Sequence, residues 1–343
     1  MKELERTMDF AIFGTGFWSN FQIPGWHELQ GVKCVAAYNR TVAKAEKVAK
    51  KFDIPAVYDD PKVLLNQEKL DFVDICTDVD THLPFVKMAA ERGVDIVCQK
   101  PMASSLKEAQ ELLHICSHNG VKLFINENFR WQAPMRSLKK VLDSGEIGRP
   151  FKARVSFCSA FPVFDNQPFL ADLEHFIITD VGSHVLDICR FLFGEAKSLY
   201  CTTDTINPKI AGEDVANVLL KMTNGVSCYA EMSYASILEK ESFPQVLVLV
   251  ECSQGSVALT HDYKLRITTA SGTKTTVIKP KLYEWVDPEY AVVHSSIVDC
   301  QRNILEGLRS KTAETTGADN IKTVELVWKS YESTRTNSVI HLG

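Results

Sequence analysis

The feature that most constrains this chain is a glycine turn set directly after its first apolar run. Asp9 to Phe13 reads DFAIF, and Gly14-Thr15-Gly16-Phe17-Trp18-Ser19 comes at once after it. A strand, a G-x-G-x-x-small turn and then a helix is the order in which a dinucleotide fold builds its phosphate loop. The first glycine permits the tight turn. The second lets the backbone approach a pyrophosphate, and the third position must be small so that helix packs on strand. Ser19 meets that last requirement.

Beyond the turn the same alternation repeats. VKCVAAY (residues 32–38), FVDIC (72–76), VDIVC (94–98) and VKLFI (121–125) are short apolar runs. Helical patterns lie between them: TVAKAEKVAKKF capped by Thr41, THLPFVKMAAERG stopped by Gly93, and SLKEAQELLHICSHNG from Ser105 to Gly120. Strands apolar on every residue belong to parallel sheets covered on both faces. Residues 1–126 are therefore expected to form a Rossmann domain with a doubly wound parallel sheet.

After residue 126 the pattern changes. A helix is expected near 135–142. Strand-like segments come next at 151–161, 197–205, 214–223, 226–236, 246–252 and 256–267. Asn224-Gly225 and Ser253-Gln254-Gly255 are tight-turn signals between such segments. Helices at 180–193, 291–308 and 319–333 are expected to cover one sheet face only. Residues 127–343 thus read as a C-terminal α/β domain with a large, mostly antiparallel open sheet whose free face is expected to mediate oligomerisation.

Composition removes several function classes. The 343 residues carry 38 Lys and Arg against 43 Asp and Glu, a formal net charge of -5. That balance gives no reason to expect nucleic acid as partner. No stretch approaches the roughly 18 apolar residues of a membrane span, and the polar start MKELERT does not resemble a signal peptide. The 10 cysteines are scattered without a C-x-x-C pair. They read as free thiols in a reducing compartment, so a cytoplasmic protein is expected.

Three places carry candidate chemistry. At the end of the second strand, Asn39-Arg40 stands where an acid would accept from an adenosine ribose in an NAD enzyme. Asparagine suits a hydroxyl or a phosphate and arginine a 2′-phosphate, so both NAD and NADP are open. Gln99-Lys100 follows directly on the VDIVC strand, and open α/β sheets bind ligands at the carboxyl ends of their strands. In DVGSHVLD, Asp180, His184 and Asp187 share one helix face at i, i+4 and i+7. A histidine beside carboxylates suits proton transfer from an alcohol. A metal site lacks evident further ligands.

The patches GTGFWSN, CTDVDTH, AAERGVDIVCQKPMA, NENFRWQAPMRSLKKVLDSGEIGRP, DVGSHVLDICRFLFG and EDVANVLLKMTNG, in this order, resemble the Gfo/Idh/MocA family of nucleotide-dependent oxidoreductases over essentially the whole chain. The resemblance implies catalytic Lys100, Asp180 and His184, the histidine acting as general acid/base. It implies substrate contacts from Lys100, Asn128, Arg130, Asp180, His184 and Asp187, with Asp187 alternatively anchoring the helix. Around the cofactor it places Gly14, Thr15, Gly16, Phe17, Trp18, Asn39, Arg40, Thr77, His82, Gln99 and Lys100. His82 fits a cofactor-side contact and a helix-start role equally. Two departures stand out: Gln99 replaces the glutamate of E-K-P, and Thr77-Asp78-Val79 replaces T-P-N.

The expected function is hydride transfer between NAD or NADP and a secondary alcohol or carbonyl of a sugar, cyclitol or sugar acid. Two alternatives remain open. One is a redox-neutral sugar glycosidase or lyase that retains NAD. The other is a dinucleotide-sensing regulator without activity. The implied partners are a small polyhydroxylated substrate and, through the open sheet face, a second copy in a homodimer or homotetramer.

Overall fold

The computed structural model describes residues 6–309 and 312–343. Two compact units divide the chain. The first comprises residues up to Asn128 together with Ile297–Val324, and the second comprises Phe129–Ser296 and Glu325–Gly343.

The first unit holds six parallel strands: β1 Met8–Phe13, β2 Val32–Tyr38, β3 Ala56–Tyr58, β4 Phe72–Ile75, β5 Asp95–Gln99 and β6 Leu123–Asn126. Their order in the sheet is β3-β2-β1-β4-β5-β6. The winding therefore reverses between β1 and β4, and the glycine turn after β1 sits at that switch point. Connecting them are α1 Ser19–His27, α2 Val42–Phe52, α3 Pro61–Gln67, α4 His82–Ala90 and α5 Leu106–Asn119. Local signals fix their ends. The Ser105 hydroxyl accepts from the Glu108 amide at 3.2 Å, and the Asp60 carboxylate accepts from the Lys62 amide at 2.7 Å. Thr41 precedes α2 but makes no side-chain cap bond.

Contacts tie a late segment of sequence to this unit, so a single cut near residue 126 does not divide the molecule. The Ile125 amide donates to the Thr315 carbonyl at 2.8 Å. Lys122 Nζ donates to the carbonyls of Gly307 and Leu308 at 2.9 and 2.7 Å. The Gln301 amide reaches the Gln22 carbonyl at 2.9 Å. Without this return, the polar groups at the β6 edge would lack these partners.

The second unit is built on nine strands: β7 Pro150–Cys158, β8 Ala196–Asp204, β9 Val215–Met222, β10 Ser227–Ser233, β11 Leu247–Cys252, β12 Gly255–Thr260, β13 Lys264–Thr269, β14 Gly272–Val277 and β15 Ile340–His341. The sheet order is β14-β13-β12-β11-β7-β10-β9-β8-β15, antiparallel except where β10 runs parallel to β7. Helices α6 Ala133–Ser144, α7 Val163–Asn166 and α8 Ile177–Phe193 belong to it; α9 Ala291–Leu308 and α10 Gly317–Thr336 cross the division.

Alternation along the strands sends one set of side chains into the core. Ala216, Val218, Leu220 and Met222 of β9 are buried, as are Val181, Val185, Ile188 and Cys189 of α8, which packs on β7, β9 and β10. The opposite set is exposed. Leu219, Tyr229, Arg154 and Leu249 lie in one register row across four strands, and the three apolar members are 40–43% exposed. All ten cysteines are free. Among the described residues, no helix is long and apolar enough to cross a membrane.

Candidate functional site

In the first unit the glycine turn is shaped for a ligand. Gly14 has φ +92, and a Cβ there would lie 2.7 Å from Thr77 Cγ2 and 2.8 Å from the Cys76 carbonyl oxygen. Only glycine fits. Gly16 is the opposite case: a Cβ on it would meet nothing within 4 Å, so backbone borders open space where a phosphate must come close. Thr15 is 6% exposed, and its hydroxyl oxygen has no hydrogen-bond partner in the protein. An orphaned donor beside a bare glycine backbone suits a pyrophosphate oxygen. Ser19 is fully buried, its hydroxyl bonded to the Gly16 carbonyl at 2.7 Å.

Asn39 closes the turn from β2. Its side-chain oxygen accepts from the Thr15 amide at 3.3 Å, and its amide donates to the Thr41 carbonyl at 3.1 Å. Arg40 is exposed beside it. Phe17 is 54% exposed; its ring and those of Trp18 and Phe21 pack mutually edge to face, at 5.1 to 5.8 Å. These aromatics therefore pack around the start of α1. Lys100 comes after β5, half-buried, next to a buried Gln99, and Asn128 is buried just beyond β6. His82 is 1% exposed, with its ring nitrogens near the carbonyl oxygens of Thr77 and Met102. Burial lowers its pKa.

Sequence reasoning misses a further carboxylate. Asp74, fully buried on β4, accepts from Trp26 Nε1 at 2.7 Å and from the Asn126 side-chain amide at 3.1 Å. It steadies the end of β6 that leads to Asn128. An acid inside the four-residue buried run FVDI is the available signal, since apolar surroundings accept a carboxylate only with partners. Burial pushes its pKa up to about 6.

A carboxyl whose folded pKa lies above its unfolded value stabilises the fold below about pH 4 and loses that contribution as pH rises through 6. The two-unit difference amounts to roughly 3 kcal/mol. Asp74→Asn is expected to remove this slope. The gain in urea-unfolding free energy of the variant over the native chain should grow between pH 4 and pH 7. A difference that stays flat over that window overturns the assignment.

In the second unit α8 carries the remaining candidates. The Glu213 carboxylate accepts from the Phe176 and Ile178 amides at 3.3 and 3.2 Å and from the Tyr331 hydroxyl at 2.7 Å. It thus satisfies orphan donors at the helix start. Asp180 lies in the first turn, half-buried, and accepts from the Tyr234 hydroxyl at 3.4 Å. Burial first, then the Asp180 charge, raise the Tyr234 pKa well above its usual value. His184, one turn on, is 5% exposed, and its ring lies face to face on Phe129 at 3.8 Å with 3° between planes. Tyr234, Phe129 and Glu213 escape sequence reasoning because each meets α8 from a distant segment.

Asp187 and Arg130 form a buried pair. Arg130 Nε donates to Asp187 Oδ2 at 2.7 Å and its terminal nitrogen to Oδ1. Their side chains are 6% and 0% exposed. Arg190 lies 3.8 Å from the same carboxylate and pairs with Glu195 at 3.0 Å. Asp187 is thus held by two arginines and has no exposed surface.

A glycine turn at the switch point of a doubly wound parallel sheet is the place where such folds bind a dinucleotide. Residues 8–127 match the oxidoreductase family with an NAD-binding Rossmann fold, and residues 135–258 match the GFO/IDH/MocA C-terminal domain. The chain belongs to this family. It is an NAD(P)-dependent sugar oxidoreductase by class. It is 40% identical over 97% of its length to a D-apiose dehydrogenase of Paraburkholderia graminis, covering 89% of that protein. Against a D-apiose dehydrogenase of Rhizobium rhizogenes the identity is 38%, with 97% of both chains covered. The solved structure of an oxidoreductase from Agrobacterium radiobacter, in complex with NAD+, L-tartaric acid and magnesium, superposes with a TM-score of 0.95 at 38% identity, covering 97% of this chain and 98% of that one.

Proposed function

We propose that this chain oxidises D-apiose, or a closely similar small aldose, with NAD or NADP as hydride acceptor. The observation that carries the reading is full-length identity near 40% to two D-apiose dehydrogenases. The A. radiobacter relative, with its L-tartaric acid, supports a small polyhydroxylated ligand.

The bound dinucleotide supplies the nicotinamide ring that accepts the hydride. Gly14, Thr15 and Gly16 hold its phosphates, and Asn39 with Arg40 faces the adenosine ribose. In this reading His184 takes the proton of the substrate hydroxyl as hydride leaves the carbon. Asp180 favours the charged imidazole so formed. Lys100 orients the substrate and polarises its oxygen. Arg130 and Asp187 fix α8 rather than react. Each turnover yields one carbonyl product, one NAD(P)H and one proton.

Initial rates of NAD(P)H formation at 340 nm with D-apiose, other pentoses, hexoses, inositols and sugar acids test the reading. D-Apiose is expected to give the highest kcat/KM. The proposal fails if another substrate class exceeds it by tenfold or if sugar turns over without NAD(P)H appearing.

We also propose that the exposed row Leu219, Tyr229, Arg154 and Leu249 pairs with a second copy of the chain, since apolar patches of this kind mark association surfaces. Sedimentation is expected to give at least a dimer, and Leu219→Arg a monomer. A monomeric native chain overturns it.

A further inference from the structure

Within the first unit, a run of contacts leads from the phosphate turn to Lys100. Gly14 sits against Thr77, so closely that a Cβ could not be inserted. The Thr81 hydroxyl oxygen lies 2.7 Å from the Asp78 carbonyl oxygen, to which it can donate, and 2.6 Å from the Thr77 hydroxyl. These bonds order the short segment after β4. His82 comes next, the first residue of α4, and its side chain turns back on that segment. Nε2 lies 3.2 Å from the Thr77 carbonyl oxygen. Nδ1 lies 3.3 Å from the carbonyl oxygen of Met102, two residues past Lys100. Met102 is fully buried. One imidazole therefore spans two loops: the one under the glycine turn and the one after the lysine.

We infer that His82 is a positioning residue that ties the Lys100–Met102 loop to the cofactor loop and so fixes the height of Lys100 over the dinucleotide site. The inference rests on the role assigned to Lys100 above. At 1% exposure the ring acts through backbone carbonyls rather than by touching the dinucleotide itself. A neutral imidazole donates from one nitrogen at a time. Burial favours that neutral form, against the nearby Asp78 charge and the carbonyls themselves. The tie we infer is the bond of the Nδ1–H tautomer to Met102, made from a ring rooted at the start of α4 directly after the cofactor loop.

This geometry separates the conservative variants. An asparagine amide nitrogen occupies the Nδ1 position and can still donate to Met102. A glutamine amide nitrogen occupies the Nε2 position and can donate only to Thr77. Displacement of a reacting group by about 1 Å costs up to roughly a hundredfold in rate. His82→Ala and His82→Gln are therefore expected to lower kcat about tenfold or more, measured well below the unfolding temperature. NAD(P)H affinity, read by fluorescence, should stay within about twofold. His82→Asn should retain several-fold more activity than His82→Gln.

A double-mutant cycle then tests the route. In a Lys100→Ala background the further loss from His82→Gln is expected to shrink below about twofold, because the residues act as one unit. Full-size, multiplicative losses overturn the inference, as does an unchanged kcat in His82→Ala. If Lys100→Ala itself keeps full turnover, the role assigned to that lysine fails. Hydrogen exchange then decides the clamp by itself. Faster exchange of the Lys100, Met102 and Ala103 amides in His82→Gln, with native rates in His82→Asn, upholds it. Unchanged exchange in both variants overturns it.

Discussion

Replacing His184 by alanine is expected to lower kcat/KM by about 10²–10⁴-fold while NAD(P)H affinity stays within about twofold. In the proposed reading the glycine turn of the first unit holds the phosphates, and His184 belongs to the second unit, so dinucleotide affinity is the control. On the proposed role of His184 the loss falls on the proton transfer that accompanies hydride departure, worth about 3–5 kcal/mol at the transition state. Alanine also removes a ring stacked on Phe129 at 3.8 Å, so instability must be separated from chemistry. His184→Gln refills part of that space with a side chain that does not act as a base. Both variants should be comparably inactive at temperatures where circular dichroism shows them folded. Retention of more than about a tenth of native turnover in either folded variant overturns the role of His184. Loss confined to KM would instead assign His184 to substrate binding.

The parts of this molecule legible in sequence are those whose signal is local. The strands of the first unit are readable because burial on both faces leaves near-continuous apolar runs, and the turn at residues 14–19 announces itself by composition. Short or exposed elements are not. β3 is three residues long, below the length at which periodicity has meaning. β14 reads GTKTTV and is exposed at every position, so no alternation marks it. Residues 256–267 read as one strand, but Asp262 and Tyr263 adopt positive φ and fold the chain into two, β12 and β13. Asp262 is a residue type that tolerates such a conformation, but an aspartate followed by tyrosine carries no glycine or Asn-Gly signal that would mark the turn.

The candidate site divides along the same line. Asp180, His184 and Asp187 are visible as helical spacing, and the helix is where the spacing puts it. Their partners are not visible. Tyr234 lies 54 residues from Asp180 and Arg130 57 from Asp187. Sequence dictates which residues share a helix face, whereas only the sheet order decides which distant strand or loop meets that face. The return of Ile297–Val324 to the first unit is long-range in the same way. Its helices look ordinary, and their partners Gln22, Lys122 and Ile125 lie far upstream.

Asp187→Ala is expected to destabilise the second unit by about 3–5 kcal/mol, with a fall in Tm on the order of 10 °C. The native carboxylate is fully buried and both its oxygens meet Arg130. Removing it leaves the Arg130 guanidinium in the interior without its bidentate partner, which is the costly half of breaking a buried pair. Arg190 suffers less, because Glu195 still holds it at 3.0 Å. Replacing both ends by apolar side chains, Arg130→Met with Asp187→Leu, removes both charges and should recover most of the lost stability. The same variants decide between anchoring the helix and touching substrate. Anchoring predicts that Asp187→Asn keeps kcat/KM within about tenfold while its Tm falls. A substrate contact predicts an unchanged Tm and an activity loss as large as that of His184→Ala. Full burial of Asp187 against two arginines favours the first outcome, because a side chain with no exposed surface has nothing to offer a sugar hydroxyl.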